Sequence, residues 1–152
     1  MKANELMIGD WVYGCTDPYS PDEEQKKFPV KVIRIDIDGD IYTMGNNPSD
    51  DPYDDEWWNI EPIPLTPEIL EKNGFTYCKS DGGFYLHTTI SYGNWDVDVV
   101  LFDVTDEYRN NQLHISSPDD SYIAIHLMEC NHVHELQHAL RLCGIKKEIS
   151  LC

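Results

Sequence analysis

Positive charge is scarce in this chain. Lys and Arg number 11 against 28 Asp and Glu in 152 residues, a formal net charge of −17 at pH 7. No acidic tail accounts for this, because residues 1–62 carry 15 acids and 5 bases and residues 63–152 carry 13 acids and 6 bases. Nucleic acids and anionic membranes bind proteins through Lys and Arg. We therefore expect no direct nucleic-acid or membrane contact. The charge favours solubility and a basic protein partner, including mimicry of DNA.

Paired cysteines and long apolar runs are also missing. The five cysteines, at positions 15, 78, 130, 143 and 152, are odd in number and widely spaced, with no CxxC. This usage is typical of free thiols in a reducing compartment. No run approaches the roughly 18 apolar residues of a membrane span, and the N-terminus lacks an apolar signal core. We expect a cytoplasmic protein.

The first 62 residues are predicted to form a small β unit. Residues 28–37 alternate, with Ile33, Ile35 and Ile37 predicted on one face and charged side chains on the other. The Asp38-Gly39 pair favours a type I′ hairpin to a partner strand at 41–44. The acidic segment 45–56 is predicted to be a polar loop.

Residues 63–152 are predicted to form an α+β unit that packs with the first as one globule. Thr66 caps a short helix that ends at Gly74, after which Phe75 folds back. Strands follow at 84–88, 95–102, 112–115 and 122–128, as an antiparallel meander. A second helix begins near Asn131 and ends at Gly144, with apolar residues at 133, 136, 139, 140 and 143 on one face. A short strand is predicted at 145–151.

Three stretches together resemble a group of small uncharacterised proteins of Bacteroides-type gut bacteria, their phages and mobile elements. They are ELMIGDWV at 5–12, IEPIPLTPEIL at 60–70 and VHELQ at 133–137. The resemblance implies a phage or mobile-element setting, with an SH3-like small β-barrel at 1–62 and an α+β unit at 63–152. It implies no enzyme activity. The acidic run at 50–56 is longer than the resemblance implies.

A catalytic-looking motif lies in the second helix, where residues 134–138 read HExxH. On a helix, His134 and His138 point the same way and can bind Zn²⁺, while Glu135 can act as general base on a zinc-bound water. This pattern defines a zinc-dependent hydrolase as an alternative function.

Two observations argue against that alternative. A catalytic zinc needs a third protein ligand, yet the extended metalloprotease pattern fails at Arg141 and Gly144. At about 100° per residue, His134 and His138 share a side with Gln137 and lie opposite the leucines, on a face predicted to meet solvent. We interpret the motif as an exposed helix surface.

A wider cluster of possible ligands lies within 13 residues: His126, Cys130, His132, His134 and His138. His87 or His114 would have to approach from neighbouring strands to complete a metal site. We interpret these imidazoles as exposed or hydrogen-bonded and expect no cofactor. Zinc held by His132, His134, His138 and Cys130 remains the alternative.

An aromatic and acidic segment offers the candidate interaction surface, formed by Tyr53, Asp54, Asp55, Trp57 and Trp58. Aromatic residues are typical anchors of protein interfaces. A nucleotide- or signal-binding module is a further alternative, which would require Tyr85, Arg109 and Lys79 to converge. No glycine-rich phosphate loop or G-x-S-x-G elbow is present. We expect a non-enzymatic protein-interaction module.

Overall fold

The fold divides into two compact units, Met1–Ile63 and Pro64–Cys152. A computed structural model describes residues 1–15, 26–45, 59–90, 95–102, 111–117 and 120–151. The class is α+β, with two antiparallel sheets of four and five strands and two α-helices. Within the described residues, neither helix is long and apolar enough to cross a membrane.

Unit 1 is built on four antiparallel strands: β1 (Trp11–Cys15), β2 (Lys27–Ile35), β3 (Ile41–Gly45) and β4 (Asn59–Pro62). Their order is β3-β2-β1-β4, so β3 and β4 are the outer strands. The described part of unit 1 is therefore an open sheet and not a closed barrel. Its core is a cluster of Leu6, Val12, Val30 and Val32.

Strand β2 changes its inward-facing register along its length. Val30 and Val32 are buried, whereas Ile37, predicted on the buried face, is fully exposed. The pairing with β3 shifts just after Val32. Such a bulge adds one residue to the strand, so the inward positions change from even to odd numbers and Ile35 packs against the core. Alternation alone does not reveal an added residue. Ile37 was predicted on the same face as Ile35, but it lies beyond the end of β2, in the turn to β3, and is exposed for that reason.

The β2–β3 connection also differs from the predicted type I′ turn. The N–H of Asp36 donates to the carbonyl of Asp40 at 2.9 Å, and the N–H of Gly39 donates to the carbonyl of Asp36 at 3.0 Å. Gly39 has a φ of 90°, but in the described chain Asn111 is the only non-glycine residue with positive φ. The loop therefore has three residues, and glycine alone takes the left-handed position.

Helix α1 (Pro67–Lys72) begins and ends as the sequence predicts. The side chain of Thr66 accepts the N–H of Ile69 at 3.4 Å. At the other end Gly74 has a φ of 81°, and the N–H of Phe75 donates to the carbonyl of Leu70 at 3.0 Å. Glycine adopts this left-handed conformation at low steric cost, which brings N–H groups to the last carbonyls of the helix. The buried Phe75 covers the helix end.

Helix α2 (Val133–Leu142) ends in the same way. Gly144 has a φ of 72°, and the N–H of Ile145 donates to the carbonyl of Leu140 at 2.9 Å. Ile145 is buried, as Phe75 is after α1. The predicted apolar residues at 133, 136, 139 and 140 are all buried.

The five-stranded sheet of unit 2 is an antiparallel meander in chain order: β5 (Thr76–Cys78), β6 (Gly83–Ile90), β7 (Trp95–Phe102), β8 (Gln112–Ser117) and β9 (Asp120–Glu129). The predicted strands match β6 to β9, and β5 was missed because it is only three residues long. One face is apolar and buried, with Phe84, Leu86, Val97, Val99, Leu101 and Leu113. The other face, called the open face below, bears Asp96 and Asp98 and also the buried Val100.

The strand predicted at 145–151 is absent. That segment runs without regular structure, with Ile145 and Ile149 buried. The side chain of Asn73 donates to the carbonyl of Ser150 and accepts its N–H, both at 2.8 Å. The chain end therefore pairs with an amide side chain in place of a neighbouring strand.

We expect the substitution Asn73→Ala to lower the free energy of unfolding by about 1–3 kcal/mol, because it removes two partly buried hydrogen bonds to Ser150. Urea denaturation measures the loss. The adjacent exposed variant Lys72→Ala, which removes one contact with the Leu151 carbonyl, serves as control. Equal stability of the two variants would contradict the assignment.

Candidate functional site

The HExxH segment begins α2, and its glutamate caps the helix. Glu135 Oε2 accepts the backbone N–H of Asn131 at 2.7 Å and that of His132 at 2.9 Å. The same oxygen lies 3.3 Å from His132 Nδ1. The cap residue is His132, one residue later than the predicted Asn131. A glutamate at this position satisfies N–H groups that a helix start leaves without partners.

These contacts decide the protonation of Glu135. Burial alone would raise the pKa of its carboxyl, but the N–H groups of Asn131 and His132 and the His132 side chain lower it. Glu135 is thus a carboxylate engaged by its own helix terminus. The general-base role in the zinc-hydrolase alternative would require it to leave these donors.

The prediction that this motif faces solvent was wrong for two residues. His134 and Gln137 are 6% and 4% exposed, so the covered face of α2 is wider than its apolar stripe. The His134 ring lies 5.7 Å from both the His132 ring and the His138 ring. Cys130, the other candidate ligand, is fully buried, and burial followed by the charge of Glu135 raises the pKa of its thiol to about 12.

The wider histidine cluster does not converge. His126 lies on β9 next to His114 of β8, with ring centroids 5.1 Å apart, while His132 caps α2 and His134 and His138 lie within it. Throughout the described ranges, no group of three or more His, Cys, Asp or Glu is placed to hold a metal ion.

The α2 start is also a junction of backbone segments within unit 2. The carbonyl of Asn131 accepts the N–H of Leu65 at 2.9 Å, and its side chain accepts from Asn111 at 2.7 Å. The carbonyl of Asn111 in turn accepts the N–H of Cys130 at 2.9 Å. The glutamate cap therefore stabilises the point where the end of β9, the start of β8 and the chain entering α1 meet.

The open face of the sheet carries most of its polar side chains. On β6 and β7, His87 Nδ1 lies 3.0 Å from Asp98 Oδ1, and the Thr89 hydroxyl donates to Asp96 at 3.0 Å. Each pair is a directly opposed cross-strand pair. Such pairs contribute to sheet stability while leaving the face polar.

A tyrosine at one end of this face is similarly engaged. The Tyr85 hydroxyl donates to Asp81 at 3.1 Å. Burial, then the hydrogen bond to Asp81, raises the pKa of Tyr85 to about 12. Lys79 is exposed in the β5–β6 turn, and Arg109 lies outside the described residues. The convergence that the signal-binding alternative requires includes Arg109 and therefore lies outside the described residues.

His114 is the least satisfied polar group on the open face. Both of its ring nitrogens are buried without a hydrogen-bond partner. The ring meets Phe102 edge-on at 4.9 Å. Burial and, secondly, the charge of His126 lower the pKa of His114. His114 is therefore a neutral imidazole whose ring serves mainly as an apolar packing surface.

A pocket that the sequence did not predict lies at the other end of α2. It has a volume of about 580 Å³ and is lined by Gln137, Arg141, Gly144, Ile145, Lys146, Lys147 and Glu148. The signal that could have found it is the run of bases in RLCGIKKE at 141–148, in an otherwise acidic chain. The predicted interaction residues Tyr53, Asp54, Asp55, Trp57 and Trp58 lie outside the described residues.

Comparisons with family models, curated proteins and solved structures found no match to this chain. The resemblance to proteins of Bacteroides-type bacteria and their phages stays a prediction.

We expect Glu135→Ala to destabilise the protein by about 1–2 kcal/mol, because two backbone N–H groups lose their acceptor. Glu135→Gln keeps an acceptor oxygen and should lose less. The lowered pKa of Glu135 means that its charge stabilises the fold above the unfolded-state pKa and that this contribution fades as pH falls through the folded-state value. The gap between wild type and Glu135→Gln should narrow in acid. Full stability of Glu135→Ala at neutral pH, measured by denaturation, would refute the cap.

The substitution His114→Phe should leave stability at pH about 8 unchanged or higher, because neither ring nitrogen has a partner to lose. Since the folded-state pKa of His114 is lowered, wild type loses stability as pH falls from about 6.5 through that value. The phenylalanine variant should lack this part of the slope. An unchanged slope between wild type and variant would contradict the assignment.

Proposed function

We propose that this chain is a non-enzymatic protein-interaction module that binds a basic protein surface through the open face of its five-stranded sheet. The supporting observation is the distribution of charge in unit 2. The five strands contain no Lys or Arg, while Asp96 and Asp98 lie on the open face of the central strand β7. The bases that the structure describes in this unit lie outside the strands.

The two aspartates are prepared for electrostatic recognition. Thr89 and His87 fix their orientation through hydrogen bonds, and Asp96 is exposed. A net charge of −17 adds a long-range field that speeds encounter with a cationic surface. The same field disfavours nucleic acids and anionic membranes as partners.

We also propose a compartment and an origin for the protein and an ancestry for unit 1. The described cysteines Cys15, Cys78, Cys130 and Cys143 are free, which supports a reducing, cytoplasmic setting. We propose a phage or mobile-element origin from the resemblance, and an SH3-like ancestry for unit 1 from its small antiparallel sheet. The segment at 53–58 is a second candidate surface.

The zinc-hydrolase alternative ranks lower. Its general base would be Glu135, and that carboxylate is already engaged by the N–H groups of Asn131 and His132. Stoichiometric zinc in the purified protein, found by elemental analysis, would reverse this ranking.

Affinity capture tests the proposal with two variants that remove the same charge. Asp96→Asn/Asp98→Asn changes the open face and keeps side-chain shape, and Asp38→Asn/Asp40→Asn changes the exposed β2–β3 turn in unit 1. Capture from the cytoplasm of cells that carry the gene, at about 0.15 M salt where screening is physiological, should yield a basic protein with wild type and the turn variant. The open-face variant should lose it.

Kinetics on the purified pair complete the test. The association rate should fall with salt and should fall on the order of tenfold for Asp96→Asn/Asp98→Asn. A captured protein that binds wild type and both double variants equally would contradict the proposed binding surface.

A further inference from the structure

The pocket beside the end of α2 is built from segments that the fold holds in place. Ile145 and Ile149 are each 2% exposed, so the three residues between them are anchored at both ends. The hydrogen bonds between Asn73 and Ser150 secure the next residue. Gly144, with its φ of 72°, turns the chain back past α2. The pocket wall is thus prepared before any ligand arrives, which lowers the ordering cost of binding.

The charge of this pocket is opposite to that of the chain. Residues 63–152 have 13 acids and 6 bases, yet Arg141, Lys146 and Lys147 line the pocket, and Glu148 is the one acid among its described lining residues. Half of the bases of the unit therefore border one concave site, while the strands have none.

Compensation of the helix dipole does not account for all three bases. A cation in the last turn, as Arg141 is, commonly offsets the negative end of a helix. Lys146 and Lys147 lie beyond Gly144, where the dipole has faded. Lys147 Nζ is 3.9 Å from the point that a Cβ added at Gly74, near the end of α1, would occupy. Their placement needs another explanation.

We propose that this pocket binds a small phosphorylated ligand, a phosphate monoester or diphosphate. Three cations against one carboxylate match a dianion. Lys146 and Lys147 supply point charges for the phosphate oxygens, and Arg141 adds a third positive charge to the pocket lining. The volume of about 580 Å³ exceeds a phosphate group and suits a ligand the size of a mononucleotide.

Isothermal titration of the full chain with inorganic pyrophosphate and with adenosine 5′-monophosphate tests this site. The variant Lys146→Gln removes an exposed pocket lysine, and the control Lys79→Gln removes an exposed lysine in the β5–β6 turn. Both change net charge equally. Wild type should bind at least one probe, Lys146→Gln should weaken binding roughly tenfold, and Lys79→Gln should stay within about twofold. Lys147→Gln should behave as Lys146→Gln does.

Three results would overturn the proposal. They are no binding of either probe to wild type at millimolar concentration, equal weakening by Lys79→Gln, and binding of succinate as tight as that of pyrophosphate. Unchanged thermal midpoints of the variants show that they remain folded. Because Asp96 and Asp98 are not part of the pocket, failure here leaves the proposed protein-binding face untouched.

Discussion

The engagement of Glu135 with the backbone of Asn131 and His132 is the constraint on which the architecture of unit 2 depends. It starts α2 at one residue and ties that start to the end of β9. Because the start is fixed, the helical repeat determines the direction in which every following side chain points. His134 and Gln137 then lie on the covered side, and Arg141 borders the pocket. A motif that reads as catalytic in the sequence is thereby used to build the fold.

The second organising feature is the separation of charge within an acidic chain. Asp96 and Asp98 lie on the open face of the sheet, and three bases collect at the far end of α2. If these opposite charges were interspersed on one surface, their electric fields would largely cancel at a distance of about one Debye length. Kept apart, they define the two proposed binding surfaces of unit 2, the sheet face for a cationic protein and the pocket for a phosphorylated small molecule. Neither proposed role needs a catalytic residue.

Local signals in the sequence predicted much of this fold. The helix limits were predicted from Thr66 with Pro67 and from the glycines at 74 and 144, each of which precedes a buried apolar residue. These signals are local because capping interactions join residues that are close in sequence. Four of the five strands of unit 2 also followed from alternation and turn residues. What failed depends on distant parts of the chain. The bulge after Val32 is visible only in its pairing with β3, and the burial of His134 comes from structure packed around α2. The pocket depends on the path of residues 145–151, which an amide side chain fixes from another helix.

The titration of the Glu135 carboxyl by ¹³C NMR, in the presence and absence of zinc, measures the central interaction directly. If the carboxylate caps α2, its midpoint lies below the ordinary value of 4.5 and does not move when zinc is added. A midpoint above that value would show that the carboxylate does not cap α2, and a signal that shifts stoichiometrically with zinc would place Glu135 at a metal site; either result would contradict the account.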